Sequence, residues 1–290
     1  MTGPTIGHLR VDGATLRYEV RGSGPLLLLI PGGTGGAAAF DGIADALAAD
    51  HTVASYDPRG LSRSPLDDPG ERQHVEQHAD DADRLLELLS PGAPALVAAC
   101  SSGAIAALHL LTTRPERVER LVAHEPPVVE VLPDAAEHRA LLARVQDTFR
   151  REGLMPAAAV FAAGLRRPGD DPAEAPAATP QPELSAEAAA RVRRTMGDMP
   201  YFLGQIVPSF MAYVPDLDRL QEVSGRLVLA GGTDSRGELP YRPAAFLAER
   251  LGTPFVHFPG GHTGLSTHPA EFGELLAQVL RSGERSVVSR

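Results

Sequence analysis

Five consecutive apolar residues, Leu26–Ile30 (LLLLI), run directly into the glycine-rich stretch PGGTGG. A strand with one wet face alternates polar and apolar side chains. A run that is apolar at every position fits a strand covered on both faces, which is the habit of parallel sheets flanked by helices. The rest of the chain agrees with that constraint. Residues 7–11 and 14–20 alternate as an antiparallel pair around an Asp12-Gly13 turn. Further strands are expected over 52–56, 95–99, 118–123, 226–230 and 255–258. Helical spacing falls over 37–48, 75–89, 103–111, 243–251 and 269–280. Strands alternating with helices of this length imply an α/β class chain, with a doubly wound, mostly parallel sheet of about eight strands.

The alternation stops between residues 126 and 223. Helices are expected there over 135–151, 185–196 and 201–213, with no strand. The core is therefore read as 1–125 and 224–290, interrupted by a helical insertion at 126–223. Within the insertion, 166–185 is rich in proline, alanine and acid and reads as a mobile connector.

Four loops that follow expected strands carry residues able to do chemistry. The strand 95–99 leads into Cys100-Ser101-Ser102-Gly103, where a helix opens at once. A serine on so sharp a turn is held above the sheet edge with its Oγ exposed, and the N–H of the next residue, Ser102, is left to bind an oxyanion. The competing reading of Ser101 is a helix N-cap. Cys100 as a nucleophile would put the small residue in the wrong register, and a structural thiol suits it better. After 26–30, the loop Pro31 to Gly36 brings the main chain close to a ligand, and Gly33 offers a second N–H. It lacks the lysine ending of a phosphate loop. Asp234 follows the strand 226–230, at the carboxyl end where parallel sheets bind ligands, although a turn aspartate is also at home there. His262 follows 255–258 in Pro-Gly-Gly-His, free to swing its ring toward a nucleophile. His257 is expected to pack within its strand, and His51, His74, His78 and His138 to be surface or capping residues.

The order is oxyanion loop, Ser, acid, His, each just past a strand. With Tyr56-Asp57-Pro58-Arg59-Gly60-Leu61-Ser62-Arg63-Ser64, which matches a DxRGxSxS segment, the chain resembles the α/β-hydrolase fold family. The resemblance covers nearly all of it apart from the inserted helices. It implies that 126–223 is a helical cap over the active site and that Arg59 anchors loops. Two positions depart from the family pattern: Ala99 stands for the first elbow glycine, and Pro31 for the histidine often found before the oxyanion glycine. Some relatives carry their acid after the sixth strand, where this chain has Glu125, so Asp234 is the expected triad acid and Glu125 its competitor.

The resemblance implies a serine hydrolase. Ser101 would attack an acyl carbon, His262 would take its proton, and Asp234 would hold the imidazolium. A serine nucleophile argues against the epoxide hydrolase and haloalkane dehalogenase branches. The fold also hosts other chemistry. The alternatives are a lyase or cyclase of natural-product tailoring using the same pocket, and a ligand-binding protein. Phe202, Phe210, Met199, Met211 and Tyr213 of the insertion are expected either to meet an apolar acyl or ring group or to pack the cap.

A net charge of −10 without a basic stripe speaks against nucleic acid. One cysteine allows neither an internal disulfide nor a zinc cluster, and no cofactor motif or metal site is expected. No apolar run approaches a membrane span. The first residues, MTGPTIGHLRVDG, lack the basic and apolar regions of a signal peptide, so a cytoplasmic enzyme is expected, acting on a small-molecule substrate. A homodimer is compatible with this reading, and the wealth of Ala, Arg, Gly and Pro points to a bacterial source. Limited proteolysis should cut first within 166–185, because a Pro-rich acidic stretch buries too little apolar surface to offset its ordering entropy. Mass spectrometry of the first fragments checks this.

Overall fold

The computed structural model describes residues 3–167 and 186–281. The first strands, β1 (Thr5–Val11) and β2 (Ala14–Arg21), pair antiparallel about Asp12-Gly13, with Gly13 at a φ of 74°. Next come β3 (Leu26–Ile30), a 3₁₀ turn at Ala37–Phe40, α1 (Asp41–Leu47) and β4 (Thr52–Tyr56). The chain continues through α2 (Val75–Leu89), β5 (Ala95–Cys100), α3 (Ser101–Thr113) and β6 (Val118–His124). The eight-stranded sheet has the order β1-β2-β4-β3-β5-β6, followed by β7 (Leu227–Gly232) and β8 (Phe255–Phe258). All pairings from β4 through β8 are parallel, and only β1 and β2 run antiparallel to their neighbours.

β3 explains its own composition. Leu26, Leu28 and Ile30 join the apolar cluster under α2 and α3. Leu27 and Leu29 join the opposite cluster, with α1 and the C-terminal helix. Every residue of the strand is buried, and each such side chain contributes about 1.5–3 kcal/mol of burial. The strand has no wet face, so it has no polar position.

Between β6 and β7 the described residues form helices only. These are α4 (Ala135–Glu152), α5 (Leu154–Leu165), α6 (Ala186–Tyr201), a π-helical turn at Phe202–Ile206 running into α7 (Val207–Met211), and α8 (Leu217–Glu222). The expected helix at 201–213 is thus a π turn plus a short helix. The helices α5 and α8 were not expected. Beyond residue 167, the connector predicted at 166–185 lies outside the described residues. The core closes with α9 (Tyr241–Leu251), α10 (Gly264–Thr267) and α11 (Pro269–Arg281). Among the described residues, no helix is long and apolar enough to cross a membrane.

The loop after β4 is a polar knot. Asp57 is fully buried and accepts from the Ala37 N–H at 2.8 Å and from Arg63 Nε at 2.7 Å, which ties this loop to the end of the glycine-rich one. Arg59 bonds Asp81 of α2 through Nε and Nη2, both at 2.7 Å, and the Asp12 carbonyl of the β1–β2 turn at 3.1 Å. The anchoring role expected of Arg59 is therefore visible as three segments joined by one guanidinium. The Arg59 and Asp81 side chains are 4% and 2% exposed. Removing one partner leaves a buried charge unpaired, so Asp81→Ala should lose about 3–5 kcal/mol in urea unfolding.

Candidate active site

Parallel register decides which loops meet. Ile30 pairs with Ala99, and Cys100 pairs with His124. Counting on from those pairs, Ser101 is level with Glu125 at the sheet edge and Gly32 is level with Ser101, where a Cβ on Gly32 would stand 2.5 Å from that of the serine. Ser101 lies at the turn from β5 into α3, with a φ of 52°. A Cβ at Gly103 would stand 2.3 Å from the Pro31 carbonyl oxygen, which explains the small residue two positions after the serine. Ala99, the departure from the elbow glycine, is buried in the core and its methyl is accommodated.

The structure joins Ser101 and His262 as expected. His262 Nε2 is 3.1 Å from Ser101 Oγ. Its other nitrogen corrects the expected acid: Nδ1 lies 2.6 Å from Glu125 Oε2. A carboxylate only accepts, so Nδ1 carries the proton and Nε2 is left to accept from the serine. Asp234 is exposed and makes no bond to His262. Its N–H donates to the Gly260 carbonyl at 2.9 Å, its own carbonyl accepts from Arg167 Nη2 at 2.6 Å, and its Oδ1 accepts from the Thr233 hydroxyl at 3.4 Å. It is a turn residue. The reason is positional. β7 runs on to Gly232, two residues past its expected end, and the following turn points Asp234 outward while Ser235 turns in.

Glu125 is held in place from the backbone up. Its φ is 48°, and with Ser62 and Ser101 it is one of three left-handed non-glycine residues among those described. Such strain is concentrated at functional positions. Its N–H donates to the Ala230 carbonyl at 2.9 Å. The carboxylate has no exposed surface, and its Oε1 accepts from the Gly232 N–H at 2.8 Å and from the Ser235 hydroxyl. Burial pushes its pKa up, but the bond from His262, the imidazoles of His124 and His262, and the Ser235 hydroxyl outweigh this, leaving it below the ordinary glutamate range. The ionised form is thus the one folding favours. Its stabilising contribution is complete above the ordinary glutamate pKa and is lost as pH falls through the depressed value. Ser235, fully buried beside Asp234 in Thr-Asp-Ser, was missed by sequence reasoning, and nothing in that tripeptide singles it out.

The neighbours of the site are chemically quiet. Burial, then the charge of Glu125, pushes the Cys100 thiol up to about 12, so it is not a thiolate. His124, next to the acid, is buried edge-on against Phe258 and Phe272, and burial lowers it to about 4. Other histidines differ from expectation. His74 caps α2, but His78 and His138 are buried on the core sides of α2 and α4, and His51 is buried in the turn before β4 with its Nδ1 3.2 Å from the Leu47 carbonyl. His257 is exposed, because β8 is an edge strand. Gly33, at a φ of 56°, and Ser102 flank the serine, but the Gly33 N–H donates to Ser102 Oγ at 3.1 Å rather than standing open.

Ser101 and His262 open into a cavity of about 300 Å³. Its walls come from the core through Pro31, Ala39, Pro240 and Leu265, and from the insertion through Pro127, Phe161, Leu165, Phe202, Ile206, Val207, Phe210 and Met211. No aspartate, glutamate, lysine or arginine lines it among the described residues. Of the five insertion residues read as ligand-facing or packing, Phe202, Phe210 and Met211 line the cavity. Met199 and Tyr213 pack instead. No cluster of three or more His, Cys, Asp and Glu that could hold a metal stands among the described residues.

A family model described as the alpha/beta hydrolase fold matches residues 25–236. The uncharacterized hydrolase YraK of Bacillus subtilis is 35% identical over 285 residues, spanning 96% of this chain and 97% of the relative. A hydrolase structure from Pseudomonas aeruginosa PA01 superposes with a TM-score of 0.68 at 24% identity, over 95% of this chain and 98% of the other. An esterase structure from Thermogutta terrifontis gives 0.66 at 18% identity, over 97% and 99%. The two structures share the fold, and the family match and the full-length relative go further: this chain belongs to the α/β-hydrolase family of enzymes.

Proposed function

We propose that the protein hydrolyses a small or medium uncharged, largely apolar ester, lactone or similar acyl compound through a Ser101–His262–Glu125 triad. The observation that carries this reading is the continuous hydrogen-bonded chain from Glu125 through His262 to Ser101, ending in an apolar cavity without a charged wall. A charged substrate would be desolvated there without a partner, which costs several kcal/mol. An apolar acyl group gains by the same burial.

The steps follow from the geometry. His262 Nε2 takes the Ser101 proton as Oγ attacks the acyl carbon, and the proton then passes to the leaving alcohol oxygen. The buried Glu125 carboxylate stabilises the imidazolium formed between the two transfers. A water activated by the same Nε2 attacks the acyl-enzyme and releases the acid. The N–H of Ser102, in the first turn of α3 and so without an intrahelical acceptor, faces the tetrahedral oxygen. The inserted helices, forming one wall of the cavity, act as the cap that selects the acyl or alcohol group.

A fluorophosphonate probe should label Ser101, with the adduct located by mass spectrometry. Hydrolysis of p-nitrophenyl esters and lactones should vanish in Ser101→Ala. Turnover of a natural ligand that survives this change would point to a lyase or cyclase, and tight binding without any turnover to a binding protein. The acid is tested separately. Glu125→Gln should lower kcat by roughly 10⁴, the effect of turning a triad carboxylate into an amide that favours the wrong tautomer. Asp234→Asn should stay within about threefold of the parent, since surface changes seldom matter more. The reverse pattern would restore Asp234 to the triad.

A further inference from the structure

The loop that carries Gly33 does not present its amide to the cavity. Gly33 takes a φ of 56°, and a Cβ there would meet nothing within 4 Å. Glycine is therefore demanded by the backbone conformation and not by space. In that conformation the N–H donates to Ser102 Oγ at 3.1 Å. Ser102 follows the nucleophile directly, is half-buried, and lines the cavity together with Ser101, His262 and Gly33.

A hydroxyl accepts through its lone pairs and still has one proton to give. The Gly33 bond uses Ser102 Oγ as an acceptor, and among the described residues no group accepts the Ser102 proton. A hydroxyl whose oxygen already accepts is polarised and becomes the better donor, since chained hydrogen bonds reinforce one another. We infer that the Ser102 hydroxyl is itself an oxyanion donor: Ser102 supplies both its N–H and its O–H to the tetrahedral oxygen, and the Gly33 amide stands behind the hydroxyl as the group that orients and polarises it. Both donors then sit on the first turn of α3, rigidly joined to the nucleophile. This is the preorganisation such a site needs, because nothing has to move as charge develops.

The inference rests on the acyl-enzyme reading of Ser101, and the two fail differently. Turnover that survives Ser101→Ala overturns both. With Ser101 established, Ser102→Ala should lower kcat for p-nitrophenyl butyrate by about 10²-fold, the usual loss for one oxyanion donor, with KM within about threefold. The affinity for butylboronic acid, whose adduct with Ser101 places a tetrahedral oxygen at the same spot, should fall by a similar factor. Ser102→Thr keeps the hydroxyl and should recover most of both. Melting temperatures of the variants separate these effects from instability, and if Ser102→Ala unfolds, Ser102→Cys, similar in size but a weak donor, should show the same losses. Unchanged or raised kcat in Ser102→Ala would mean that the Gly33 amide binds the oxyanion directly and the hydroxyl merely masks it, which overturns the inference. Equal loss in the Ala and Thr variants, or a loss of kcat without weaker boronate binding, would overturn it as well.

Discussion

Everything at the site depends on the parallel pairing of β3, β5 and β6. Because Ile30 stands opposite Ala99 and Cys100 opposite His124, three adjacent strands deliver Gly32, Ser101 and Glu125 side by side. Adjacent strands lie ~4.8 Å apart. A serine and a glutamate on neighbouring strands are thus separated by about the width of the imidazole that must bridge them. His262 arrives from β8 at the sheet edge and fills that gap, touching both at 3.1 and 2.6 Å. A register slip between β5 and β6 would remove the bridge without removing any residue.

The same register explains why two left-handed residues are tolerated here. Ser101 and Glu125 each follow the last residue of a buried strand and must turn out of the sheet plane at once. For an L-residue this backbone costs roughly 1–2 kcal/mol. The cost is offset locally. Glu125 is held by its own N–H on Ala230 and by three partners on its carboxylate: Gly232, Ser235 and His262. A fully buried carboxylate needs such a set, since without it the neutral form would prevail and the group could not stabilise an imidazolium. Ser235 therefore helps to hold the carboxylate that meets His262, although it stands one strand away from that histidine.

Much of this was legible in the sequence, and what was not has physical causes. Leu26–Ile30, Thr52–Tyr56, Val75–Leu89 and Phe255–Phe258 are read to the residue: the apolar run and the leucine spacing report burial directly, and the two short strands are bounded by turn residues. The pairing of Ser101 with His262 follows from loops whose small residues leave few alternatives. The carboxylate that meets His262 does not. Both Glu125 and Asp234 end strands at the correct edge, and the choice between them turns on one backbone dihedral and on how far β7 extends, neither of which residue type encodes. The helix α5 escaped notice because LMPAAAVFAAGL has no polar face to set a period. His78 sits in a polar-looking run, yet it is buried against Phe210 and bonded to Gln73, because α2 turns it toward the core. Its neutral state, lowered to about 3 by burial, belongs to packing and not to chemistry.

Ser101, His262, Glu125 and the groups that hold them belong to the sheet and its loops, whereas about a third of the residues lining the cavity belong to the inserted helices. The insertion is pinned at points remote from the reacting atoms. Asp198 of α6 accepts from the Ser62 N–H at 2.9 Å, and Asp134 accepts from Arg242 Nη2 at 2.9 and 2.8 Å. Just after Asp198, Phe202, Ile206, Val207, Phe210 and Met211 face the cavity from a π turn and a short helix, where one residue more or fewer per turn swings every following side chain. Substitution in this stretch can reshape the cavity and leave the Glu125–His262–Ser101 distances untouched, because none of those hydrogen bonds crosses into the insertion. The fold thereby separates a hydrogen-bonded chain fixed by strand register from a cavity wall that is attached to the core and only in part belongs to it.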